Sequence, residues 1–387
     1  MTTAPESTTV AIEDVRMNPR QLAQPILICL AFLVVIGCIT LFSVTSYRSE
    51  MKTGDIWKMW ADQFKGYGLG LVFFMVGYWT SPRTWLKSGF SISAAVGLLI
   101  LLAMIEFTPM GVEKNDALRW LNVGGILFQP SEIAKFVLPV LLIYLTGPWK
   151  QQSNLTTTQI QSFGLTMSFL LIVVPIGLIG NQPDLGTAAV VAGLCLLPIM
   201  RSAGFAKVML PISAIIIPLL IIQQRSRFSE FAERFRAVWD PESVDQVRAG
   251  FQSIGSGGVF GRGLGEGVGK LGYLPSAYND FIFSVFAEET GLWGVTVVTV
   301  LFGALLHFGR KLWRSLEDEN LSILAMVLTL SITGQAAFNL MVNLAILPTK
   351  GIPLPFFSHG STGLAVFMGM SGVLLALTRC RGKEIQK

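Results

Sequence analysis

Runs of about twenty mainly apolar residues recur along almost the whole of this chain, and they leave little choice of fold. A helix needs about 20 such residues to cross the hydrocarbon core of a bilayer. Ten stretches meet or approach that length: 26–44, 64–80, 85–105, 130–146, 162–180, 184–200, 206–223, 280–307, 321–346 and 361–378. The second is short, and the fourth carries Glu132 and Lys135. Only 14% of the 387 residues are charged, against about 25% in a soluble domain. The reading is an all-α polytopic membrane protein of about ten transmembrane helices. Most connections are too short to fold alone, so 26–378 reads as one transmembrane domain between tails at 1–25 and 379–387. No repeat of fixed period is visible, which counts against a transporter with duplicated halves.

Ten spans put both termini on one side. With the long loop 224–279 left out, the basic residues divide 14 to 7 in favour of the side that holds the termini. Positive charge in short loops marks the cytoplasmic face, so both tails are expected in the cytoplasm and the long loop outside. The first residues lack the basic, apolar and cleavage pattern of a signal peptide. The four cysteines have no spacing that implies disulfides or zinc. With His307 and His359 the only histidines, a His-based metal cage or a Ser-His-Asp triad is not expected.

The 56-residue loop 224–279 is long for a structureless connection, and long ordered loops are usually functional. It holds Arg225, Arg227, Arg234, Arg236, Arg248, Arg262 and Lys270 among six acids. A solvated loop of mixed charge explains them. A phosphate or diphosphate site explains them as well, since the arginine fork suits such groups. The loop ends in a glycine-rich stretch and Leu274-Pro275, and a lone acid, Asp280, follows where an apolar span begins. By spacing alone Asn279-Asp280 reads as an N-cap. The alternative is a general base held at the membrane surface, its pKa raised by burial and lowered by cations.

Glu288 and Glu289 lie about 12 Å further along the same span. Ionisable groups there need a polar interior or a partner. Glu132 and Lys135, three apart, share a helix face and can pair. Gln335, Asn339 and Asn343 recur every four residues, a polar stripe suited first to bonding between helices and second to a cavity wall. Asp184, after Gln182-Pro183, reads as an ordinary capping acid. Leu347 to Pro355 has too many prolines for helix and reads as a bent or re-entrant loop. Ser358-His359-Gly360-Ser361-Thr362 then opens the last span with groups able to cap it or touch a ligand.

Together these motifs resemble those of the SEDS family of membrane proteins (shape, elongation, division and sporulation), nearly end to end. The resemblance rests on Arg119-Trp120-Leu121, Gln129 to Lys135, Gln182 to Thr187, Gly255-Ser256-Gly257-Gly258, Leu274-Pro275 with Asp280 to Phe283, Glu288-Glu289, and Leu347 to Pro355, in family order. Lys270-Leu271 before Tyr273-Leu274-Pro275, and Leu347 to Gly351, look more like the division branch, FtsW, than the elongation branch, RodA.

The resemblance implies a peptidoglycan glycosyltransferase that polymerises lipid II at the outer face of the bacterial inner membrane, at the septum. Asp280 matches the family's essential acid and becomes the expected base. Arg262, Lys270, Lys350, Arg119 and Lys135 are expected near the substrate diphosphate, with Ser358 as a further contact. Glu132, Asp184, Glu288, Glu289, Gln335 and Asn339 are expected as structural or cavity groups. A divalent cation, magnesium or manganese, is a possible helper with no site specified. No organic cofactor and no nucleic acid are implied. Partners are a class B penicillin-binding protein and other divisome membrane proteins. The rivals are a RodA-like elongation polymerase, a lipid II flippase with a path past Glu132, Lys135, Glu288 and Glu289, and a non-catalytic scaffold. The chain departs from the family at Tyr278-Asn279, where His-Thr is common, at Ala249-Gly250, where a Gln-Ser pair is expected, and at Ser358-His359-Gly360-Ser361, where Ser-Tyr-Gly-Gly is usual.

Overall fold

The computed structural model describes residues 18–113, 117–123, 126–146, 169–182, 184–201, 239–240, 244–349 and 351–382. The expected span 206–223 lies outside them, as do Arg225, Arg227, Arg234, Arg236 and Lys350.

A 3₁₀ turn at Pro19–Leu22 leads into α1 (Ala23–Thr53). Gly54, at φ 70°, ends that helix in the left-handed region that glycine enters without penalty. The chain returns as α2 (Lys58–Trp79), a short α3 (Pro82–Trp85) and α4 (Ser88–Phe107). After a small sheet come α5 (Pro130–Thr146), a π-helical turn at Phe169–Val173, α6 (Val174–Asn181) and α7 (Leu185–Arg201). The long loop holds α8 (Asp245–Ser256) and a 3₁₀ turn at Gly269–Leu271. The chain closes with α9 (Ile282–Ser315), α10 (Glu319–Asn343) and α11 (Ser361–Leu377). Helices thus stand at the other nine expected spans, so far as these are described.

The helix ends differ from the sequence reading. α1 and α9, with 31 and 34 residues, are about 46 and 51 Å long, well beyond the roughly 30 Å hydrocarbon core. Hydropathy marks only the part of a helix that lipid surrounds. The all-α reading also missed a three-stranded antiparallel sheet, β1 (Gly111–Glu113), β2 (Leu118–Val123) and β3 (Ile126–Phe128). Gly111 pairs with Leu121, and Leu121 with Phe128. Strands this short show too little alternation to be read from sequence.

In lipid, helices associate by close packing rather than by hydrophobic burial, and small residues allow it. α11 lies along α2 on that basis. A Cβ on Gly372 would come 2.1 Å from the Phe74 carbonyl oxygen, and one on Gly77 would come 2.6 Å from that of Gly369. At one end of the bundle the described termini meet the α9–α10 turn. Leu316 forms a bridge with Gly382, and Glu317 N–H donates to the Arg381 carbonyl at 3.3 Å. At the other end the heads of α5, α7 and α11, the segment ahead of α9 and the sheet converge on a cavity.

Candidate active site

The main chain turns sharply before α9. Ser276 has φ 57°, and its carbonyl accepts from Asn279 N–H at 2.9 Å. This turn aims the Asp280 carbonyl at α10, where Asn339 and Asn343 side-chain amides both donate to it, at 2.9 and 3.0 Å. The Asp280 carboxylate lines the cavity instead. Phe281 occupies the N-cap position of α9, and no side chain caps that end. The N-cap reading of Asn279-Asp280 is therefore corrected.

The proline-rich loop lines the cavity beside Asp280 and, among its described residues, contains no helix, as its composition required. The stripe on α10 holds it. Asn339 donates to the Ile352 carbonyl at 2.8 Å and Gln335 to that of Pro353 at 2.8 Å. The stripe thus binds loop carbonyls as well as bonding between helices, the expected role, which Asn343 fills by accepting from Ser284 of α9 at 2.8 Å. Ser358 Oγ accepts from Leu354 N–H and donates to the Asn279 carbonyl, both at 2.7 Å. Those bonds make Ser358 a tie between the two walls. Behind the loop, His359 N–H donates to the Tyr278 carbonyl at 2.9 Å and their rings pack edge to face. Gly351 packs against the acid itself, for a Cβ there would lie 3.3 Å from Asp280 Oδ2.

The cavity has a volume of about 540 Å³, within the usual range for ligand sites. Its polar wall includes Arg119 and Glu132 opposite Asp280. The β2 strand delivers Arg119, which the sequence singled out without its strand. Its guanidinium stands 3.8 Å from Asp184. Asp184 caps the start of α7 through Thr187 N–H at 3.3 Å and accepts from Gln129 and Ser131 at 3.1 and 3.2 Å. Its expected capping role holds, and the same carboxylate ties α5 to α7. Glu132 pairs with Lys135 at 2.7 Å, both buried. Lys135 faces the Phe367 ring and does not line the cavity. Glu132 does line it, and its second oxygen has no hydrogen-bond partner.

Among the described residues no hydrogen bond reaches the Asp280 carboxylate. Protein surrounds most of it, with part of its surface open to the cavity. Burial pushes its pKa up to about 7, with Arg119 pulling it down and Asp184 pushing it further up. A carboxylate that is half ionised near neutrality is suited to accept a proton from an alcohol.

Arg262 and Lys270 are placed elsewhere and do not line this cavity. Lys270 pairs with Glu289 at 2.8 Å, and Ser43 donates to the same carboxylate at 2.7 Å. Arg262 stands 3.5 Å from Glu288, which also accepts from the backbone of Val268 and Gly269 at 3.0 and 2.9 Å. The two glutamates therefore bind the glycine-rich loop. The sequence reading passed over Arg48, whose guanidinium stacks 4.2 Å above the Tyr278 ring. It also passed over Gln63, which accepts from Gly360 N–H at 3.1 Å. Only spatial neighbourhood marks either one. Among the described residues no group of three or more His, Cys, Asp or Glu side chains is gathered to hold a metal. The donor set makes no divalent site by itself.

A sequence profile of the FtsW/RodA/SpoVE family, described as cell cycle proteins, matches residues 23–383. The probable peptidoglycan glycosyltransferase FtsW of Thiomicrospira cyclica is 31% identical, over 94% of this chain and 93% of that one. The stage V sporulation protein E of Bacillus subtilis is 30% identical, over 90% and 94%. RodA, the rod shape determining protein of Thermus thermophilus, superposes with a TM-score of 0.63 at 25% identity, covering 93% of this chain and 97% of that one. A chain from a structure reported as "Structural coordination of polymerization and crosslinking by a peptidoglycan synthase complex" superposes with a TM-score of 0.67 at 25% identity, over 92% and 96%. With its profile, its relatives and its fold in agreement, the chain belongs to the FtsW/RodA/SpoVE family.

Proposed function

We propose that this chain is a peptidoglycan glycosyltransferase, polymerising lipid II into β-1,4 glycan strands at the outer face of the inner membrane during septal wall synthesis. The observation that carries the reading is Asp280 on a cavity large enough for a sugar, with Arg119 on the same lining and no hydrogen bond to its carboxylate among the described residues; burial raises its pKa toward the range a base needs. Relatives named FtsW, at about 30% identity over most of the chain, support both the activity and the division branch.

Asp280 takes the proton from the 4-hydroxyl of the acceptor N-acetylglucosamine. That oxygen attacks the anomeric carbon of the donor N-acetylmuramic acid. The bond to undecaprenyl diphosphate breaks as the glycosidic bond forms, and the α-linkage becomes β in a single displacement. Negative charge grows on the departing diphosphate, and preorganised cations lower that barrier. Arg119 is the described cation on the cavity wall, and Lys350 adjoins two wall residues, Thr349 and Gly351.

The likeness to a chain of a peptidoglycan synthase complex supports a crosslinking partner, which we take to be a class B penicillin-binding protein. Both termini are assigned to the cytoplasm on the charge of the short loops. A lipid II flippase loses its sequence support, because Glu288 and Glu289 face the glycine-rich loop. The test is glycan chain formation from lipid II by the purified chain with its class B partner, wild type against Asp280→Asn. Chains from wild type alone support the proposal. Equal chains from both remove Asp280 from the chemistry. Lipid II movement across vesicles that needs Glu288 but not Asp280 would establish the flippase instead.

A further inference from the structure

The amides of α10 do more than close gaps between helices. A carbonyl oxygen has two lone pairs, and both side-chain donors on the Asp280 carbonyl come from this one helix, Asn339 at 2.9 Å and Asn343 at 3.0 Å. Asn339 also donates to the Ile352 carbonyl at 2.8 Å, one residue from the glycine that packs on the Asp280 carboxylate. Asn343 is held in turn. It donates to the Asn339 carbonyl at 2.9 Å, and its own side-chain oxygen accepts from Ser284 of α9 at 2.8 Å. Both asparagines are buried, at 1% exposure. One pair of side chains therefore holds the backbone of the acid, the loop segment packed beside it and the first turn of the helix that follows it.

We propose that Asn339 and Asn343 are positioning residues for Asp280, holding its carboxylate in register with the Ile352 segment so that the acceptor hydroxyl meets it at a fixed distance. This rests on the reading of Asp280 as the base. Neither asparagine lines the cavity, so they act on the reaction through Asp280. The charged and titratable groups described around Asp280 are Arg119 from β2, Asp184 ahead of α7, Glu132 from α5 and His359 from the loop. None belongs to α10. Substitutions at 339 and 343 therefore change the placement and hydration of the acid and leave those charges in place.

The experiment is steady-state polymerisation of lipid II by the full chain with its class B partner, from pH 5.5 to 9. It compares wild type, the Asn339→Ala/Asn343→Ala double variant and Asp280→Asn. Thermal unfolding of each is followed alongside. The expected result for the double variant is a kcat about 10- to 100-fold lower, as for an ångström-scale misplacement, with KM within about twofold. Its acid limb moves to lower pH, because water reaching the loosened carboxylate relieves the burial that raised its pKa. If the double variant does not fold, Asn343→Ala alone, which leaves the Asn339 donor, gives the same split at smaller size. Thr333→Ala, buried on the same helix outside the cavity, controls for general loosening and leaves kcat and the limb unchanged. A folded variant with wild-type kcat and limb overturns the inference. So does a lower kcat with the limb unmoved. Should Asp280→Asn polymerise like wild type, the base assignment falls first. Should it be inactive while the asparagine variants behave like wild type, only the positioning role falls.

Discussion

The head of α9 carries two acidic stations that the sequence makes look alike. Asp280 stands just before the helix, and Glu288 and Glu289 stand two turns into it. The glutamates are saturated. Glu288 accepts from two backbone N–H groups beside Arg262, and Glu289 accepts from Ser43 and Lys270. Asp280 has every partner on its carbonyl and none, among the described residues, on its carboxylate. Carboxylates supplied with donors and cations hold structure through those contacts. Asp280, with no hydrogen bond on its carboxylate among the described residues, has its pKa lifted by burial into the range where protons move, against the pull of Arg119. The same residue class thus serves as a clamp at one station and as a base at the other, and the neighbours decide which.

The sharpest way to break this comparison is to neutralise each station. Asp280→Asn is expected to lower polymerisation by about 10²- to 10⁴-fold, the usual share of a general base, while the protein still folds. Glu289→Leu is expected to do the reverse. It strands Lys270, whose side chain is 6% exposed, and breaking a buried pair costs about 3–5 kcal/mol. Thermal unfolding would show a large loss of stability. If Glu289→Leu melts like wild type, the clamp is not structural.

A gentler probe is Gly351→Ala. The new methyl would stand 3.3 Å from Asp280 Oδ2, where the acceptor hydroxyl must approach. A fall in kcat of about tenfold with an unchanged melting temperature is expected. The smallest effect concerns stability and pH. The folded pKa of Asp280 is raised from 3.8 to about 7, so folding favours the neutral acid, and stability declines as pH rises from about 4 to 7. Asp280→Asn removes that decline. The variant should therefore melt a few degrees above wild type at pH 8, and the gain should shrink on acidification toward pH 5. A variant less stable than wild type at pH 8 would contradict the burial argument.

Much of this was legible beforehand. The helices follow from apolar length, and Asp280 stood out as a lone acid at the head of a span. The four-residue spacing of Gln335, Asn339 and Asn343 announced a polar face. What spacing does not carry is the partner. Nothing in the sequence tells that Lys270 meets Glu289 and Ser43, so neither its charge nor the family resemblance reveals that this cation is taken up by the glycine-rich loop and α9 rather than by a diphosphate. The amide stripe reads as bonding between helices because helix neighbours are the commonest partners; Asn343 does accept from Ser284 of α9, but the stripe also holds carbonyls of the proline-rich loop, and spacing cannot announce that. The N-cap reading of Asp280 failed for a similar reason. The turn at Ser276 carries the side chain away from the helix end, and that turn is set by a backbone angle that a serine does not advertise.

The most direct test of the account is the pH dependence of the chain-forming step with lipid II at saturation, followed for wild type and Asp280→Asn from pH 5.5 to 9. Wild type should rise about tenfold per pH unit on the acid side and level off above an apparent pKa near 7, and Asp280→Asn should be low and flat throughout. A wild-type rate that does not change between pH 5.5 and 8, or the same acid limb retained in Asp280→Asn, would contradict it.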